Sequence, residues 1–101
     1  MPTSYDFVAD LFEWEGNGAW HFVALPAPLA DEIEATAQTK GGFGSVPVEV
    51  TVGATTWQTS LFPDRSRGTY LLPVKRAVRV AEDWYAGDSV GITLVLRGQQ
   101  P

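Results

Sequence analysis

Cysteine is absent from this chain, which excludes thiol nucleophiles, cysteine-ligated zinc and any disulfide framework. Histidine occurs once, at position 21. Metal sites and histidine-assisted nucleophiles both need several partner groups, so a lone imidazole supports neither. Long apolar runs are also missing. The longest stretch without a charged or hydrogen-bonding side chain, residues 22–30, is broken by two prolines and falls far short of the ~20 residues of a membrane span. The first residues, Met1-Pro2-Thr3-Ser4-Tyr5-Asp6, have neither the cationic start nor the apolar core of a secretory signal. A soluble, cytoplasmic protein without cofactor or metal is the expectation.

Positive charge is scarce in the first half. Residues 1–50 carry one cation, Lys40, against eight carboxylates, whereas residues 51–101 carry six cations against four. Five of the seven basic residues fall between Arg65 and Arg79. A net charge of −5 makes the chain a poor non-specific partner for polyanions, although one basic face remains available.

What is present is alternation. Val46, Val48, Val50 and Val52 share one strand face, as do Val90, Ile92, Leu94 and Leu96. Phe7, Ala9 and Leu11 lie opposite Asp6 and Asp10. Residues 20–25, 55–62 and 69–72 read as further strands, with a turn at Gly53-Ala54. A short helix over 28–37 begins with proline in its first turn, where the missing N–H leaves no intrahelical bond unmade. Asp31, Glu32 and Glu34 fall early in it, where the helix dipole favours anions. A second helix follows Leu72-Pro73, with Val74, Ala77, Val78 and Ala81 on one side and Lys75, Arg76 and Arg79 on the other.

The two halves match. Asp10-Leu11-Phe12 corresponds to Ser60-Leu61-Phe62, Leu25-Pro26 to Leu72-Pro73, and Ser45-Val46 to Ser89-Val90. The chain thus reads as one domain of two repeats, about 5–52 and 55–97, with 98–101 as a flexible tail. A unit of this size cannot bury its own apolar face and packs on its twin. The expected fold is mainly β with two short helices: a small double-split β-barrel formed by two pseudo-twofold-related hairpin–helix–strand units, closed or nearly closed, which removes exposed strand edges.

Residues 69–79 followed by Ala86-Gly87-Asp88-Ser89-Val90 resemble the swapped-hairpin unit of AbrB-type transcription factors. In that family two chains each contribute one unit; here one chain supplies both. Over its whole length the sequence resembles an uncharacterised bacterial family, domain of unknown function 1905. The matching motifs are the strand from Trp20 to Pro26, Gly42-Phe43-Gly44, the run from Trp57 to Pro63, the run from Tyr70 to Arg79, and Gly87-Asp88. This resemblance implies the double-split barrel and no established activity.

Candidate chemistry is sparse. His21 is in phase with Val23 and Leu25 and reads as a structural or surface histidine. The carboxylates read as solvated charge, with Glu82 and Asp83 at helical spacing from Arg79. Gly41-Gly42-Phe43-Gly44 leads into a strand rather than a helix, so it reads as a turn or flap and not a phosphate cradle. Asp88 after Gly87 is turn chemistry. Trp20 and Trp57 lie mid-strand and are expected in the core, whereas Trp14 and Trp84-Tyr85 lie at loop ends, where aromatics serve binding. The leading reading is a non-enzymatic barrel that binds a small molecule or protein through Trp14, Phe43, Trp84, Tyr85, Arg65, Arg67, Lys75, Arg76 and Arg79, as monomer or homodimer. The alternative is an AbrB-like DNA-binding regulator. Against it, the first-half loop and helix are acidic, and phosphate neutralisation dominates duplex affinity.

Overall fold

Alternating valines set the inner wall. The computed structural model describes residues 4–14, 20–37 and 44–98. In it, Val46, Val48, Val50 and Val52 of strand β3 (Val46–Val52) are all essentially inaccessible to solvent. The remaining elements are β1 (Ser4–Glu13), β2 (His21–Ala24), α1 (Ala27–Thr36), β4 (Thr55–Asp64), β5 (Thr69–Pro73), α2 (Arg76–Glu82) and β6 (Ser89–Leu96). The six strands form a closed antiparallel barrel in the order β1-β2-β5-β4-β3-β6. Inward residues of every strand, among them Tyr5, Leu11, Val23, Trp57, Leu61, Leu72, Ile92 and Leu94, fill one core with Ile33 of α1 and Val78 of α2. No helix among the described residues is long and apolar enough to cross a membrane.

Exchanging β1, β2, α1 and β3 for β4, β5, α2 and β6 leaves the strand order unchanged. Residues matched by the repeat also meet directly: Ala24 pairs with Leu71, and Val50 with Leu94. Facing equivalents are what two units about a pseudo-twofold require, so the pairing is consistent with the double-split arrangement. One correspondence shifts. The registers give Tyr5, opposite Leu94, the role of Trp57, opposite Val50, and give Leu11 the role of Pro63 rather than Leu61. Sliding a strand by two residues keeps every side chain on its face, so alternation does not register the difference.

Both helices start slightly away from the expected positions. α1 begins at Ala27, with Pro28 in its first turn, so that turn contains no acid and Asp31 falls beyond it. The Tyr70 hydroxyl donates a hydrogen bond to Glu34, tying α1 to β5. α2 begins only at Arg76, with Val74 and Lys75 still extended ahead of it. Glu82 does not pair with Arg79; its carboxylate accepts from the Thr55 hydroxyl at 2.6 Å. That contact pins α2 to the β3–β4 turn, where Gly53 has φ +50° and where a Cβ would lie 2.5 Å from Glu82 Oε1.

Candidate functional site

A closed barrel ordinarily turns polar side chains outward. Across β1, β2, β5 and β4 this one does not. Leu71 lies between the core residues Tyr70 and Leu72 on β5, so its side chain points away from the interior, yet it is only 5% exposed and stands outside the core cluster. Its cross-strand neighbours are Ala24 on one side and Phe62 on the other, and Phe22 pairs with both Phe12 and Pro73. Phe22, Phe62, Leu71 and Pro73, together with Trp14 and Trp20, make an open apolar cleft of about 620 Å³, with Pro63, Asp64 and Arg65 at its rim. Phe22 is the hub: Trp20 stacks on it at 6.5 Å and 10°, Trp14 meets it edge-on at 5.4 Å, and Phe12 lies at 6.1 Å.

The β4–β5 turn builds the rim. Asp64 accepts hydrogen bonds from the Ser66 amide and hydroxyl and from the Arg67 amide, and its other oxygen takes Arg67 Nη1 at 2.6 Å. The Ser66 hydroxyl, and after it the Arg67 guanidinium, hold the Asp64 carboxyl below the ordinary aspartate value. So restrained, the guanidinium lies 4.6 Å over the Phe12 ring and 5.5 Å from Trp14, within cation–π range. Arg67 is therefore paired and stacked. Arg65 has no carboxylate partner among the described residues.

The other expected binding residues lie elsewhere. His21, Arg76, Arg79, Trp84 and Tyr85 line a separate cleft of about 660 Å³ beside α2. Lys75 lines a third, which shares Trp20 with the first cleft and His21 and Arg76 with the second. The five basic residues thus follow a path around the barrel rather than forming one face. Asp83, the left-handed C-cap of α2, turns the chain so that Trp84 packs on the core while Tyr85 stays 68% exposed. Asp83 also accepts the Tyr85 hydroxyl, which raises that phenol's pKa. Asp88 closes the following turn by accepting the Tyr85 amide at 2.8 Å. Phe43 lies outside the described residues.

Trp57 is buried as expected, but Trp20 is not: at 56% exposure it belongs to the outer cleft. Alternation is the reason, since His21 and Val23 point inward and Trp20 and Phe22 must then point out. Trp20, Phe22, Phe62, Leu71 and Pro73 were not legible as site residues from composition. The available signal was that β2, β4 and β5 carry large apolar residues in both phases. His21 is buried, and among the described residues the nearest carboxylate oxygen, on Glu13, is 3.9 Å from its Nε2, outside hydrogen-bond reach. Among the described residues no three His, Cys, Asp or Glu side chains gather as a metal-holding group.

The barrel and its clefts coincide with a known family. The model described as Domain of unknown function (DUF1905) matches residues 7–94. The chain belongs to this family. The DUF1905 match runs from β1 into β6 and so takes in all three clefts, but the family's description assigns no chemistry to any of them. No curated protein matches the chain.

Proposed function

We propose that this DUF1905 chain is a non-enzymatic binding module whose aromatic cleft receives an apolar, carboxylate-bearing segment of a partner protein. One observation carries the reading: a leucine, Leu71, is buried on the outside of the barrel beneath a rim of exposed aromatics. Contiguous apolar surface on a soluble protein marks an interaction site, and Trp and Arg dominate the energetics of protein contacts. The cleft is open, whereas small-molecule pockets enclose most of their ligand. Charge complementarity favours an acid, because Arg65 stands at the rim without a carboxylate partner among the described residues. An enzymatic reading has less support: among the described residues the single histidine is buried with no carboxylate within hydrogen-bond reach.

Selection of displayed random peptides against the intact chain tests this. Expected are binders rich in apolar residues with at least one Asp or Glu, weakened about tenfold or more by Trp20→Ala and unaffected by Arg79→Gln. Failure to select binders, equal binding by Trp20→Ala, or concentration-dependent self-association through the same face would each overturn the proposal.

A further inference from the structure

The cleft beside α2 has a chemistry unlike that of the aromatic cleft. Arg76 and Arg79 are three apart and share one side of a short helix, where like charges repel. Neither is paired with a carboxylate among the described residues. The two buried side-chain nitrogens without any hydrogen-bond partner among the described residues, Arg79 Nε and His21 Nδ1, both belong to residues lining this same cleft. Native proteins rarely leave buried polar atoms unpaired, because each costs its full desolvation. His21 is only 9% exposed, and among the described residues its other nitrogen has no carboxylate within hydrogen-bond reach. Two side chains with unmet hydrogen bonding, one of them cationic, thus border one cavity together with a second arginine.

Val80, Trp84, Tyr85 and Ala86 supply the cleft's apolar lining, and Asp83 is the one carboxylate among its lining residues. Trp84 packs against the core, and Tyr85 presents its ring to solvent with its hydroxyl held by Asp83. About 660 Å³ is the size of a small-molecule site. We infer that this cleft binds an organic anion, a carboxylate or phosphate ester carrying a flat apolar group, with Arg76 and Arg79 on the anion and Trp84 and Tyr85 against the ring. Two arginines match one anionic group. They do not amount to a polyphosphate track, and the acidic net charge of the chain opposes one.

The test is an amide and indole NMR titration of the full chain with phenyl phosphate, run beside benzoate, inorganic phosphate and benzyl alcohol. Phenyl phosphate or benzoate should shift the Trp84 indole and the amides of residues 76–86, and whichever binds more tightly identifies the anionic head. Inorganic phosphate should bind more weakly at the same place, and benzyl alcohol should leave it unshifted. Arg79→Gln should weaken binding about tenfold or more, the loss expected for a charge-assisted hydrogen bond. Arg76→Gln, at an exposed position, should do the same with an unchanged melting curve, which separates binding from folding. No Trp84 shift with either aromatic anion at about 10 mM, an affinity below any useful site, would overturn the inference. Equal binding by both variants, or equal binding of benzyl alcohol, would overturn it too. Shifts confined to the Trp14 and Trp20 indoles would likewise count against it while leaving the peptide proposal standing.

Discussion

Trp57→Ala and Trp20→Ala make the same truncation at a buried and at an exposed position. Trp57 is 9% exposed and packs in the core beside the β3 valines, whereas Trp20 is 56% exposed and has Phe22 as its stacking partner. Removing a buried tryptophan forfeits transfer energy and leaves a cavity, together about 3–5 kcal/mol. Removing Trp20 forfeits chiefly one stacked aromatic contact, about 0.5–1.5 kcal/mol. The two variants should therefore differ by at least about 1.5 kcal/mol, which for a domain of this size separates their melting temperatures by roughly 6–12 °C. Urea titrations followed by far-ultraviolet circular dichroism, which does not depend on the deleted fluorophore, give the comparison directly. If the variants lose stability equally, or if Trp20→Ala loses more, then Trp20 is a core residue, and the outward aromatic cleft on which the functional proposal rests does not exist.

Two further outcomes follow from the turns. The Asp64 carboxyl is held below the ordinary value of 3.8 by Ser66 and Arg67. A lowered native pKa means that the clamp's contribution is complete above that value and is lost as pH falls through the lower native one. Trp14 fluorescence should therefore hold steady down to about pH 4 and change only below it, and Asp64→Asn should abolish that acid transition; a transition that persists in the variant refutes the assignment. Gly53→Ala places a side chain at φ +50° and against Glu82. A left-handed non-glycine costs about 1–2 kcal/mol, and displacing Glu82 from Thr55 adds to it. The measurable result is a lower urea midpoint with unchanged m-value, and a neutral effect would show that the Thr55–Glu82 tie does not hold α2.

The elements themselves are written locally. Four alternating valines specify β3 whatever surrounds them, and prolines at 26 and 28 start a helix because the ring fixes a backbone angle. The Leu-Pro pairs and the two Ser-Val strand entries announce a duplicated unit, and two such units with one apolar face each have little choice but to close on one another. What only the tertiary structure decided was which apolar residues lie outside. Trp20, Phe22, Phe62 and Leu71 are as hydrophobic as their inward neighbours, so composition does not divide them; the division comes from the pairing of four strands that brings all their outer faces together. Partners for charge were settled in the same way. Arg67 and Arg79 look alike in the sequence, but a turn carries Asp64 to the first, while the helix leaves the second beside a cleft with its Nε unmatched among the described residues, because electrostatic pairing depends on distance in space and not along the chain.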